Sequence, residues 1–399
     1  MKSFIKKIFS KTGNALFFFR KKNIVRSEVK KILVISLYFR GDVMMNTPAL
    51  RMLSKIFPDA QTDIWIKSRS KGILDNNPHI NRTIVFDHFK TADYNDSQKP
   101  YLKEKINFIK SVRKENYDLC IDLTGKYSTA LFTLFGGFKY TAGLNYNGFG
   151  FCYNKFINID TQHSAGHLAG KYAEVIRECA DLSTEEFESA SDRGNLRNEI
   201  YIGKSSLNEI QKILSENGIT FDDNIITIQP SAGWKAKEWS GEKYSQLIDE
   251  LPSGFKIVLI GSEQDIETNK SIIENTNTSE KCAALQLPMN LSAALISVSD
   301  LFIGSDSAGL QIAGAAGVPS VALFGPTNPG FSNPPGEIHK IIYTKLICSS
   351  PDNEQYCTRD AGKTCPDFLC MKNISVNDAV RQVSNLTKNY SKNKYQIAE

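Results

Sequence analysis

Four stretches of this chain place small and charged residues where an apolar run ends and a helical pattern begins. Residues 304–317 read Gly-Ser-Asp-Ser-Ala-Gly-Leu-Gln-Ile-Ala-Gly-Ala-Ala-Gly, between the apolar runs 301–303 and 320–324. Small residues let a backbone come close to a ligand, and the first amides of a helix have no internal partner. With the helix dipole they form an anion site suited to a phosphate ester. Asp306 sits at that turn, either capping the helix or holding a sugar hydroxyl. Residues 230–239, Pro-Ser-Ala-Gly-Trp-Lys-Ala-Lys-Glu-Trp, follow another apolar run and offer Ser231, Gly233 and lysines to a pyrophosphate. Glu263 follows a third run in Gly261-Ser262-Glu263, as a partner for ribose hydroxyls or as a plain surface acid. Asp42, in Arg40-Gly41-Asp42-Val43, is either a helix cap or a general base facing an interdomain cleft.

The elements that must hold these residues alternate. Ile32-Leu33-Val34-Ile35-Ser36-Leu37 is a continuous apolar strand of the kind buried on both faces of a parallel sheet. A helix is expected from Asp42 to about Phe57, stopped by Pro58-Asp59. Strands are expected at 62–66, 83–86, 119–123 and 140–143, with helices near 101–114, 126–135 and 165–180. The polar stretch 184–205 separates two periodic regions and reads as a domain junction. Beyond it Leu207, Ile210, Ile213 and Leu214 stripe a helix that Gly218 closes. Strands at 224–229 and 255–260 follow, with helices near 241–251, 264–275 and 290–299, then the run 301–303 and a last helix at 375–388. Strands alternating with helices argue an α/β fold with two doubly wound parallel sheets. Ligands bind at the carboxyl ends of such strands.

Composition bounds the function. With 399 residues, 41% hydrophobic and 23% charged, the chain is that of a globular protein of two domains. The net charge of +5 is concentrated: residues 1–31 hold ten Lys/Arg and one Glu, while the remaining 368 hold 38 basic and 42 acidic residues. The folded body is therefore slightly acidic, which argues against nucleic acid as a partner. The basic extension carries Phe4, Ile5, Ile8, Phe9 and Leu16 at near-helical spacing, then Phe17-Phe18-Phe19. We read residues 1–30 as an amphipathic segment for an anionic membrane surface; a disordered basic tail is the alternative. No apolar run is long enough to span a bilayer.

Two clusters remain. His163 and His167 are four apart, a spacing that can bind metal on a helix but lacks a third partner; His167 can instead line the acceptor side. Cys348, Cys357, Cys365 and Cys370 are separated by eight, seven and four residues, not the paired C-x-x-C of zinc sites. Structural zinc, disulfides and free thiols all stay open.

Taken together, residues 32–50 with Gly41-Asp42 and Thr47-Pro48-Ala49-Leu50, residues 230–239, residues 304–310 and residues 323–329 resemble glycosyltransferase family 9, the lipopolysaccharide heptosyltransferases. The resemblance covers roughly residues 31–385 in order. It implies a GT-B fold, two Rossmann-like domains facing an interdomain cleft: an acceptor-binding domain at 31–185, a linker at 186–205, a nucleotide-sugar domain at 206–375, and a closing helix and tail at 376–399. It implies an ADP-sugar donor, heptose transfer to a glycolipid acceptor with inversion, and no required cofactor or metal. Asp42 matches the catalytic base and Lys237 the lysine that stabilises the departing diphosphate. Ser231, Gly233, Glu263, Asp306, Ser307, Ala308 and Gly309 match the donor site, and Arg40, Gly41 and His167 fall on the acceptor side. The expected location is the cytoplasm, at the inner face of the cytoplasmic membrane. A nucleotide-sugar epimerase or hydrolase on the same plan and a non-catalytic scaffold are the alternatives. A dinucleotide oxidoreductase is disfavoured, because no G-x-G-x-x-G follows the first strand.

Overall fold

Strand β1, Lys31–Ser36, is the centre of the first unit, and Ile32, Leu33, Val34 and Ile35 on it have no exposed surface. Burial on both faces demands a helix layer on each side, and parallel neighbours supply the connections. The structure is a computed structural model that describes residues 22–87, 102–146, 148–159, 166–349, 357–359, 362 and 364–389. The first twenty-one residues of the basic extension and His163 lie outside the described residues. The chain divides into two units, Met1–Leu196 and Arg197–Glu399.

In the first unit β1 is followed by α1 (Arg40–Met44), α2 (Thr47–Ile56), β2 (Gln61–Ile66), β3 (Arg82–Val85), α3 (Leu102–Lys114), β4 (Leu119–Asp122), α4 (Tyr127–Phe135), β5 (Tyr140–Asn145), β6 (Lys155–Asn158), α5 (Leu168–Cys179) and α6 (Thr184–Ala190). The six strands pair in the order β3-β2-β1-β4-β5-β6, all parallel, with Val34 opposite Ile64 on one side and Ile121 on the other. One face buries Leu33, Ile35, Leu37, Trp65 and Cys120 against Phe108 and Val112 of α3 and Phe132 of α4.

The single helix expected from Asp42 to Phe57 is two. Pro48 has no N–H to donate to the Met44 carbonyl, so the ladder breaks there. The Thr47 hydroxyl takes that carbonyl instead at 2.8 Å, and the Asn46 amide reaches back to Ser36 Oγ at 2.5 Å. The stretch expected to begin the linker also holds structure. Ser183 and Glu186 exchange side-chain and backbone bonds at 3.2 and 2.9 Å, a capping box that starts α6.

The second unit runs α7 (Lys204–Glu216), β7 (Asn224–Gln229), α8 (Gly241–Glu250), β8 (Phe255–Gly261), α9 (Ile266–Glu274), β9 (Cys282–Gln286), α10 (Met289–Val298), β10 (Leu301–Ser305), α11 (Ala308–Ala316), β11 (Ser320–Phe324), α12 (Pro329–Ser332), β12 (His339–Tyr343), α13 (Leu369–Lys372) and α14 (Val376–Asn389). Its strands pair in parallel in the order β12-β11-β10-β7-β8-β9. Counted from the first strand of each unit, both sheets have the Rossmann order 3-2-1-4-5-6. Helix α14, the expected closing helix, packs Ala379, Val383 and Leu386 into the same cluster as Ile226, Ile228 and Leu301.

Candidate active site

In each sheet the strand order reverses beside the first strand, between β1 and β4 and between β7 and β10. Chains leaving two adjacent strands in opposite directions open a crevice at their carboxyl ends, where ligands bind. Asp42 on the chain leaving β1, Lys237 on the chain leaving β7 and Asp306 on the chain leaving β10 lie at these two points, whereas Glu263 follows β8 and His167 precedes α5.

At the second sheet, the chain leaving β7 forms a 3-10 turn, Lys235–Lys237, and the chain leaving β10 passes through Asp306 and Ser307 into α11. Lys237 Nζ donates to Asp306 Oδ2 at 2.7 Å and to the Asp306 carbonyl at 3.2 Å. Both side chains are mostly buried, and Ser332 Oγ donates to the other carboxylate oxygen at 3.0 Å. Burial would raise the Asp306 carboxyl, but the Lys237 charge and these hydrogen bonds outweigh it and hold it below the usual carboxylate range. Asp306 is therefore not the helix cap. Ser307 occupies that position, and its hydroxyl donates to Gln229 Oε1 at 3.1 Å. Ala308 and Gly309 open the helix.

Gly309 is required for its size. A Cβ there would stand 2.3 Å from Gln229 Oε1 and 2.7 Å from the Phe302 ring, so the helix start lies tight against β7 and β10. Gly233 has φ of +62°, the left-handed turn that swings the chain toward Lys237. Ser231 is half-buried beside it. Trp234 lies under the Lys237 ammonium, 5.2 Å from ring centre to Nζ. Trp239 anchors the far end of the loop by donating to the Ile374 carbonyl at 3.1 Å. Glu263 is exposed at the start of a 3-10 turn after β8.

At the first sheet, Asp42 lies on α1, three residues past its cap. It is not the cap itself: its Oδ2 accepts the Phe39 amide at 3.0 Å. Arg40 Nε donates to the Arg69 carbonyl at 2.6 Å, and Gly41 lies between the two charged residues. Tyr38, Tyr146 and Tyr172 lie near enough to this carboxylate to feel its charge, a grouping the sequence reading missed. Burial first, and then the Asp42 charge, pushes the phenols of Tyr146 and Tyr172 up; for Tyr38 burial, Tyr146 and Asp42 act together. Their position after β1, after β5 and on α5 was the only signal available. Asp122, also missed, is fully buried at the end of β4. It accepts from the amides of Thr124 and Gly125 at 2.9 and 3.0 Å and from the Tyr153 hydroxyl at 2.7 Å, fixing the turn into α4.

His167 is the cap of α5, its Nδ1 accepting the Ala169 amide at 3.2 Å. Cys348, Cys357, Cys365 and Cys370 are free thiols. Burial, and next the neighbouring thiols, pushes Cys370 up to about 11. Among the described residues no group of three or more His, Cys, Asp or Glu side chains is arranged to hold a metal ion, so the zinc alternative finds no support. Nor is any described helix long and apolar enough to cross a membrane.

Two Rossmann-ordered sheets, one in each unit, are the plan of the GT-B fold. The same fold is found in the glycosyl transferase family 9 structure from Veillonella parvula, at a TM-score of 0.76 and 21% identity over 92% of this chain and 99% of that one. It recurs in the ADP-heptose lps heptosyltransferase II of Escherichia coli, at 0.68 and 21% over 89% and 98%. The profile of glycosyltransferase family 9 (heptosyltransferase) matches residues 106–361, and the chain belongs to that family of enzymes. Lipopolysaccharide heptosyltransferase 3 of E. coli K12 is 26% identical over 302 residues, 74% of this chain and 83% of the relative.

Proposed function

We propose that this glycosyltransferase moves heptose from ADP-heptose onto a sugar hydroxyl of a lipopolysaccharide-type acceptor, inverting the anomeric carbon. The observation that carries the reading is the Lys237 ammonium held beside the start of α11, where a diphosphate would meet both a cation and free helix amides. The acceptor oxygen attacks the anomeric carbon, its proton passes to the Asp42 carboxylate, and the bond from that carbon to the diphosphate oxygen breaks. The electron pair leaves with ADP, whose added charge falls on Lys237 and the amides of Ser307, Ala308 and Gly309. Ser231 and Gly233 shape the phosphate side, Glu263 takes the ribose, and Arg40, Gly41 and His167 lie toward the acceptor. The names of the family's relatives support heptose as the sugar. In this reading the enzyme works at the inner face of the cytoplasmic membrane, held partly by residues 1–30.

Titration with ADP, UDP and GDP, followed by transfer assays with ADP-heptose and a heptose-deficient lipopolysaccharide acceptor, tests the proposal. Selective ADP binding and acceptor-dependent ADP release are expected. Preference for UDP or GDP would overturn the donor, and ADP release with no sugar on the acceptor would indicate a hydrolase.

A further inference from the structure

Helix α4 is apolar nearly all round, yet one side of it is uncovered. Ala130 and Leu134 pack with Phe151, Cys152 and Tyr153, and Phe132 fills the core beside Trp65. On the outward side Tyr127, Leu131 and Phe135 recur every four residues and are 56%, 36% and 63% exposed. A four-residue repeat places them in one row along the helix. Phe149 extends the row at its amino end, 6.5 Å from Tyr127 between ring centres.

The border of this row is cationic. From Leu123 to Lys139 the chain has no acid and two lysines, Lys126 and Lys139. Helix α3 lies on the same face of the sheet, its Phe108 ring 6.2 Å from Phe132. It carries Lys103, Lys105, Lys110, Arg113 and Lys114 against Glu104 alone. Ile106, 43% exposed, stands among Lys103, Lys110 and Arg113 on its outer side. The Arg113 guanidinium also donates to the Phe135 carbonyl, joining the cationic helix to the end of the apolar row.

We propose that the outer surface of α3 and α4 docks on an anionic lipid bilayer, with Tyr127, Leu131 and Phe135 in the interface and the α3 cations on lipid phosphates. Aromatic and aliphatic side chains flanked by lysines suit the boundary between headgroups and acyl chains. Each cation close to an anionic surface adds attraction. A second copy of this chain fits less well, since two α3 helices would oppose like charges. Tyr127 follows the turn at the end of β4, at the carboxyl ends of the strands where Asp42 also lies, and the row runs from there back to Phe135 before β5, so docking would lay this helix face along the membrane. This surface is built from residues other than 1–30 and does not depend on the identity of the donor or acceptor.

The test uses the full chain, without donor or acceptor, and vesicles of phosphatidylcholine with or without phosphatidylglycerol. Leu131→Ser with Phe135→Ser should lower the fraction bound to the anionic vesicles about tenfold, the order expected for losing two interfacial apolar groups. Lys103→Glu with Lys110→Glu should do the same and remove the preference for phosphatidylglycerol. In parallel, Phe135→Trp places a probe in the row, and vesicles with brominated acyl chains should quench it beyond any quenching of the three native tryptophans. That probe decides the matter even where the serine variant folds poorly. Vesicle binding without quenching at position 135 would assign the membrane contact elsewhere and overturn the proposal. No vesicle binding, or a dimer that the same substitutions dissociate, would overturn it as well.

Discussion

Lys237 and Asp306 form a 2.7 Å ion pair that joins the loop after β7 to the turn after β10. The pair crosses the point where strand order reverses in the second sheet. Each partner is buried enough that removing the other leaves an uncompensated charge. Lys237→Ala is therefore expected to destabilise the fold by about 3 to 5 kcal/mol and to slow transfer about 10²- to 10³-fold through the lost charge on the leaving group. Adding Asp306→Asn should restore much of the stability and none of the rate. Denaturant melts and initial rates on the three proteins separate the effects; joint recovery would show that Lys237 acts only through the fold. Because the folded carboxyl is held low, its stabilisation is complete above the ordinary carboxylate range and fades as pH falls through the lowered value. Asp306→Asn should lose that acid sensitivity.

Asp42 offers a cleaner separation. Its Oδ2 accepts the Phe39 amide, a bond that an asparagine oxygen can also accept. Asp42→Asn should keep α1 and ADP binding intact while transfer falls about 10²- to 10⁴-fold, the usual worth of a general base. Calorimetric ADP titration beside a steady-state assay reads both quantities. A variant that transfers at the native rate would remove Asp42 from the chemistry.

These two carboxylates also mark how far the sequence could be read. Strands such as β1 and β10 were legible because residues buried on both faces leave an unbroken apolar run. The edge strands β6 and β12 were not: Lys155–Asn158 and His339–Tyr343 are only partly buried and their apolar runs are two or three residues long. The break between α1 and α2 was legible in principle from Pro48, whose missing donor falls one turn after Met44. The Asp306 partner was harder to see, because Lys237 is 69 residues away and a cap is the commoner use of an acid before a helix. The tyrosines around Asp42 come from three separate elements, and only the sheet order brings them together.

Gly309 tests the close approach of α11. Alanine is the better helix former, so propensity alone predicts a gain of about 1 kcal/mol. The new methyl would instead meet Gln229 Oε1 and the Phe302 ring inside contact distance. Phe302 is fully buried and cannot move freely, so overpacking of about 1 to 3 kcal/mol should prevail. The displaced helix start should also weaken ADP binding. A thermal melt and an ADP titration of Gly309→Ala check both, and an unchanged melt would mean that Gln229 simply turns aside.

His339 sets an acid limit on the second unit. It is buried on β12, with Nδ1 2.9 Å from Ser320 Oγ on β11. Burial, and then the Arg197 charge, lowers its pKa to about 4. In the unfolded chain an imidazole takes up its proton near pH 6.5. Between these values the unfolded state binds more protons than the folded one, so stability rises with pH across that window and falls on acidification. The difference corresponds to about 3 kcal/mol lost by pH 4 relative to neutral, as an order of magnitude. Below pH 4 both states are protonated and this contribution stops changing. His339→Gln keeps a group that can bond Ser320 but does not titrate, and its unfolding free energy should be flatter than that of the native protein from pH 6.5 to 4. Denaturant melts at intervals across that range measure the slope. Parallel slopes for the two proteins would place the acid sensitivity on other groups.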